Sequence, residues 1–161
     1  MRFFGRTRRR ELVDEQLGLR VLREGKHIRV LIADRSMLFS GASPEQFVRD
    51  YRAALAAIEL EFAATLHDGR TLEFSPREQE DLRRDIVLHW IRYYLSVGQR
   101  VEVRPSDLHH PQTWAIVLQK AEAKYGSRSE DAMSLGAHTV GSDLRQFELW
   151  RRVEDDRVAN M

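Results

Sequence analysis

Apolar positions from Leu19 onward recur at first with a period near two. Leu19, Val21 and Arg23 alternate with Arg20, Leu22 and Glu24, and residues 27–33 are rich in β-branched side chains. This pattern predicts a β-hairpin over 19–32 that turns at Glu24-Gly25-Lys26, where Gly25 is free to take positive φ. A second turn at Asp34-Arg35 leads into Met37-Leu38-Phe39, the third strand of a meander. Ahead of the hairpin, residues 11–17 predict a short helical piece.

From Ser43 the period lengthens to three and four. Ser43 is placed to accept from the N3 amide, Pro44 suits N1 and Gln46 stands at N3, which together make a capping box. Phe47, Tyr51, Leu55, Ile58, Phe62 and Leu66 then share one helical face, and Asp68-Gly69 predicts the end of a helix of about 22 residues. Residues 70–74 predict a short strand. Ser75-Pro76-Arg77-Glu78 repeats the capping device about 32 residues on, a faint internal echo.

The second long helix carries the stripe Leu82, Ile86, Trp90 (or His89), Tyr93 and Val97. Its first turns are charged and its last are apolar nearly all round, as expected of a helix end placed in a core or under a partner. Gly98 suits the position after its C-terminus. Residues 100–104 alternate as a strand and 105–110 predict a loop. Pro111 opens a helix with Trp114, Leu118, Ala121 and Tyr125 on one face, closed by Gly126. Residues 126–141 carry the weakest pattern, with a helical turn near 129–135. A last helix is expected from Ser142 through Leu144, Phe147, Trp150 and Val153.

Two topologies fit this order. One is α/β, with two βαβ crossovers onto a parallel sheet. The other is α+β, an N-terminal antiparallel hairpin or meander with a small sheet packed against three to four helices. The short strands at 70–74 and 100–104 are poorly matched to helices of some 22 residues, which favours α+β.

At 161 residues the chain is most simply one domain. Charge divides it. Residues 1–10 hold Arg2, Arg6, Arg8, Arg9 and Arg10 and no acid, while the remaining 151 carry 21 basic and 25 acidic residues, a net −4. A basic arm over 1–10 is therefore joined to a mildly acidic globular domain over 11–161. The 23 arginines and 3 lysines are distributed through the body as well, so only the clustering in the arm is informative. The absence of cysteine excludes disulfides, thiolate metal sites and a cysteine nucleophile. No apolar stretch follows the basic start as a signal peptide requires, and 86–97 is too short and too often interrupted to span a membrane. By default the expected location is cytoplasmic.

Candidate chemistry is sparse. Five guanidiniums with Phe3 and Phe4 among them can grip phosphates and stack on bases, or dock on an acidic protein surface. Asp85 and His89 stand at i, i+4, a spacing that suits two ligands or a carboxylate orienting an imidazole, and equally an ordinary surface pair. Asp107, His109 and His110 cluster in a loop, where a histidine before Pro111 serves most simply as a helix cap. No nucleophile elbow, phosphate loop or dinucleotide fingerprint is present, so no catalytic residue, metal or cofactor is assigned. Trp90, Tyr93 and Tyr94 lie together, and with Arg92 the Trp90–Leu95 surface offers an aromatic face with the Arg enrichment typical of interface centres.

The sequence thus points to a non-enzymatic interaction or assembly protein. It would bind a protein partner or itself through Arg2, Phe3, Phe4, Arg6, Arg8, Arg9 and Arg10 and through Trp90, Arg92 and Tyr94. Nucleic-acid binding by the arm is the first alternative, and an enzyme of an unrecognised kind the second.

Overall fold

The computed structural model describes residues 10–16, 19–33, 35–66, 68–126 and 134–142. In chain order the elements are β1 (Arg10–Gln16), β2 (Leu19–Glu24), β3 (His27–Ile32), β4 (Arg35–Phe39), α1 (Pro44–Ala57), β5 (Leu60–Thr65), β6 (Thr71–Glu73), α2 (Pro76–Ser96), α3 (Pro105–Leu108), α4 (Pro111–Tyr125) and β7 (Ser134–Thr139). The fold is α+β. Among the described residues every strand pair is antiparallel, which removes the crossover alternative. The chain divides into two compact units. One comprises residues up to Leu55 with Val87–Val103, the other Ala56–Ile86 with residues from Arg104 onward, and α2 contributes a half to each.

In the first unit β1, β2, β3 and β4 form a sheet in sequence order. The hairpin turns where the pattern indicated. Glu24 faces His27 across a two-residue connection, and Gly25 takes φ 61, the positive angle that a primed turn demands of its first residue. One sheet face is apolar at every second position. Leu19, Val21, Ile28, Val30, Ile32 and Phe39 are buried on it. Helix α1 lies over this face. Phe47 tilts against Phe39 with ring centroids 5.0 Å apart, Arg23 pairs with Glu45, and Arg52 reaches Asp14 at 2.8 Å.

The second unit is built on β5, the centre of the order β6-β5-β7. Phe62, Ala63 and Ala64 are buried in succession, as befits a central strand covered on both faces. Trp114 of α4 meets Phe62 edge-on at 5.7 Å.

Five expectations are corrected. Residues 11–16 hold a strand in place of the helical piece expected over 11–17, because β1 pairs along β2 and its charges suit a sheet edge. The first long helix stops at Ala57, and 60–65 is strand. A short, continuously apolar run satisfies a helical period as well as a central strand, and here pairing on both sides decides. Residues 100–104 form no strand, and 105–108 is a helical turn where a loop was expected. The strand β7 begins at Ser134, so the end of the helical turn expected near 129–135 is strand, while 129–133 lie outside the described residues. Its Gly136 and Ala137 are poor strand formers, held by a full ladder to β5. The last helix, at 142–153, falls almost wholly outside the described residues.

Candidate interaction surface

Helix α2 begins with a complete capping box. The Ser75 hydroxyl accepts from the Glu78 N–H at 3.2 Å, and the Glu78 carboxylate accepts from the Ser75 N–H at 2.7 Å. At α1 only half of the device forms. Ser43 accepts from Gln46 N–H at 3.1 Å, but the Gln46 side chain turns to Asp50 and Arg49. Helix α2 ends in a Schellman motif. Gly98, at φ 70, donates to the Leu95 carbonyl at 3.2 Å and Gln99 donates to that of Tyr94 at 2.9 Å.

Between these ends the apolar stripe runs as the spacing indicated, but its cover does not last. Leu82, Ile86 and Trp90 are buried, whereas Tyr93 and Val97, next on the same face, are 45% and 46% exposed. Tyr93 stands edge-on against Trp90 at 5.5 Å and against Tyr94 at 5.5 Å. Arg92 is exposed beside it, its guanidinium stacked 4.5 Å above the Phe39 ring, and Arg100 lies exposed just beyond the helix. The surface is therefore an aromatic and an aliphatic side chain one turn apart, with the exposed Arg92 next to Tyr93 in the chain and the exposed Arg100 three residues past Val97.

Of the residues singled out from sequence, Trp90 and Tyr94 are buried and act as the bed for Tyr93, while Arg92 is on the surface. Val97 was legible only as a stripe member, and Tyr93 also as one of the aromatic group with Trp90 and Tyr94. Nothing in the spacing shows where a stripe loses its cover. Arg10 opens β1 opposite Glu24. Arg2, Phe3, Phe4, Arg6, Arg8 and Arg9 lie outside the described residues.

The candidate catalytic groups make local contacts. His110 caps α4, its Nδ1 accepting from the Gln112 N–H at 3.1 Å. Asp107 accepts from the Arg104 N–H at 2.9 Å at the start of α3. Asp85 accepts from Arg84 at 3.2 Å, and His89 stands edge-on to Trp90. Among the described residues no group of three histidines or carboxylates is placed to hold a metal ion, and no helix is long and apolar enough to cross a membrane. No family model, curated protein or solved structure matches the chain.

Proposed function

We infer that this is a non-enzymatic interaction or assembly protein, which docks into a larger complex through the Tyr93–Val97 face and its arginine-rich arm. The observation that carries this reading is the apolar stripe of α2 continuing past its cover onto exposed Tyr93 and Val97. An exposed aromatic beside guanidiniums is the composition that dominates binding energy at the centre of protein interfaces. Arg92, Arg100 and the five arginines of residues 1–10 give the partner its chemistry. It is a protein surface with an apolar pocket and an acidic rim, and the arm's charge speeds the encounter.

The test is a pair of variants in the full chain. Tyr93→Ala with Val97→Ala removes the apolar centre, and Arg8→Ala with Arg9→Ala removes charge from the arm. Both should weaken assembly; the arm variant leaves the thermal unfolding of the body nearly unchanged, and the Tyr93 variant lowers it only by the loss of its ring contacts. A chain that is monomeric and captures nothing from a lysate of its host would refute the reading.

The arm supports nucleic-acid binding as a second reading, since five clustered cations release phosphate counterions. That reading requires affinity falling steeply with salt. The net −4 of the remaining chain ranks it below protein docking.

A further inference from the structure

The four-stranded sheet has two edges, and they are built differently. β1 carries Glu11, Asp14 and Glu15, and a register shift between Leu12 and Asp14 interrupts its pairing. Charges and bulges are the devices that prevent an edge from pairing. β4 has neither. Its sequence is Arg35-Ser36-Met37-Leu38-Phe39, without proline, lysine or acid, and its pairing with β3 runs without a break from Ile32↔Arg35 to Ile28↔Phe39.

The register also shows which backbone groups face outward. Ile32 and Arg35 close a two-residue connection, so they exchange both hydrogen bonds, and bonded pairs then recur at every second position. Arg35, Met37 and Phe39 thus bond to β3. The N–H and C=O of Ser36 and Leu38 point away from the sheet, and among the described residues they meet no backbone partner. Both residues are exposed, Leu38 at 37%.

We propose that β4 pairs antiparallel with β4 of a second copy of this chain, about a two-fold axis through Met37, to make one continuous eight-stranded sheet. In this register Ser36 faces Leu38 of the other copy in both directions. All the outward groups of the two strands are then satisfied by four hydrogen bonds. A shift of the axis to Ser36 or Leu38 leaves part of each strand unpaired. The only charge on β4, Arg35, lies opposite Phe39 of the second copy, so no like charges meet. The neighbouring Arg29 is neutralised within its own chain by Glu24, at 3.0 and 3.1 Å. The guarded β1 edge explains why the second copy is the last. With one open edge and one closed edge, pairing is isologous and ends at a dimer instead of growing into a fibre.

This inference goes beyond the docking reading and uses neither the Tyr93–Val97 face nor the arm, so each can fail alone. The test uses the full chain, which contains no cysteine. Sedimentation velocity should give a species of twice the chain mass, and Leu38→Lys, which places a charge on the paired edge, should return it to the monomer with an unchanged circular dichroism spectrum. Independently, Met37→Cys should crosslink to a covalent dimer under mild oxidation. Residues facing each other in a non-bonded antiparallel pair have Cα atoms about 4.5 Å apart, within disulfide reach. Ser36→Cys should not crosslink, because its two copies lie roughly 8–9 Å apart across the same axis. Should Leu38→Lys fail to fold, the cysteine pair decides alone. A native chain that stays monomeric at every concentration, a dimer that Leu38→Lys leaves intact, or crosslinking at Ser36→Cys and not at Met37→Cys would each overturn the proposal.

Discussion

The side chain of Gln79 completes the backbone pairing of Phe62. The Phe62 N–H donates to Gln79 Oε1 at 2.8 Å, and Gln79 Nε2 donates to the Phe62 carbonyl at 2.8 Å. The next residue of β6 would otherwise serve this position, since the β5–β6 register runs only as far as Ala63↔Glu73. The chain leaves the sheet there because Ser75 must cap α2, and the first turns of α2 return Gln79 to fill the gap. Gln79 is buried, so both of its polar ends need partners.

Replacing Gln79 with leucine should therefore be costly although it makes the site more apolar. It orphans two backbone groups, at about 1–3 kcal/mol each. Denaturant unfolding should show the loss. A Gln79→Leu variant as stable as the native chain would show that Phe62 finds other partners.

The start of α2 should respond to acid. The Lys124 ammonium, bonded to Glu78, holds the Glu78 carboxyl at about 2 against an ordinary 4.5, and the Ser75 N–H adds to the effect. A carboxyl whose pKa is lowered by folding contributes stability that is complete above its unfolded value and is lost as pH falls toward its folded one. The Lys124 ammonium is raised above its ordinary 10.5 by the same contact, so its share persists below that value and is lost as pH rises through the raised one. Thermal unfolding of Lys124→Met against the native chain should show a gap at neutral pH that narrows between pH 4.5 and 2 and again above 10.5. A gap independent of pH would mean that Lys124 acts by packing alone.

Stability and binding should separate at the α2 surface. Tyr93→Ala forfeits its edge-on contacts with Trp90 and Tyr94, about 0.5–1.5 kcal/mol for such a pair, and Val97→Ala loses little, because exposed positions tolerate change to within about 0.5 kcal/mol. At an interface centre the same truncation of Tyr93 costs about 2 kcal/mol or more, roughly thirtyfold in affinity. Calorimetric unfolding and titration of the captured partner measure the two effects side by side. A Tyr93→Ala chain that binds with native affinity would exclude Tyr93 from the interface.

Elements whose signals are local were legible in the sequence. The Gly25 turn, the Ser75-x-x-Glu78 box and the Gly98 stop each depend on a few adjacent residues, and all three form as read. Elements decided by distant pairing were not. Residues 60–65 fit a helical stripe until β6 and β7 flank them, and 134–139 has little strand propensity of its own until it lies along β5. The surface followed the same rule. Composition drew attention to Trp90, Arg92 and Tyr94, but exposure depends on where neighbouring elements end, and that left Tyr93 and Val97 uncovered. The open backbone of β4 was likewise invisible until its register with β3 was known.

The most direct measurement is a tagged capture from lysate of the native host, divided into nuclease-treated and untreated halves. It compares the full chain, a chain lacking residues 1–10, and the Tyr93→Ala, Val97→Ala double variant. Docking predicts the same protein partner in both halves with the full chain, reduced when the arm is removed and lost with the double variant. Partners that vanish with nuclease, or that are retained in full by the double variant, would contradict it.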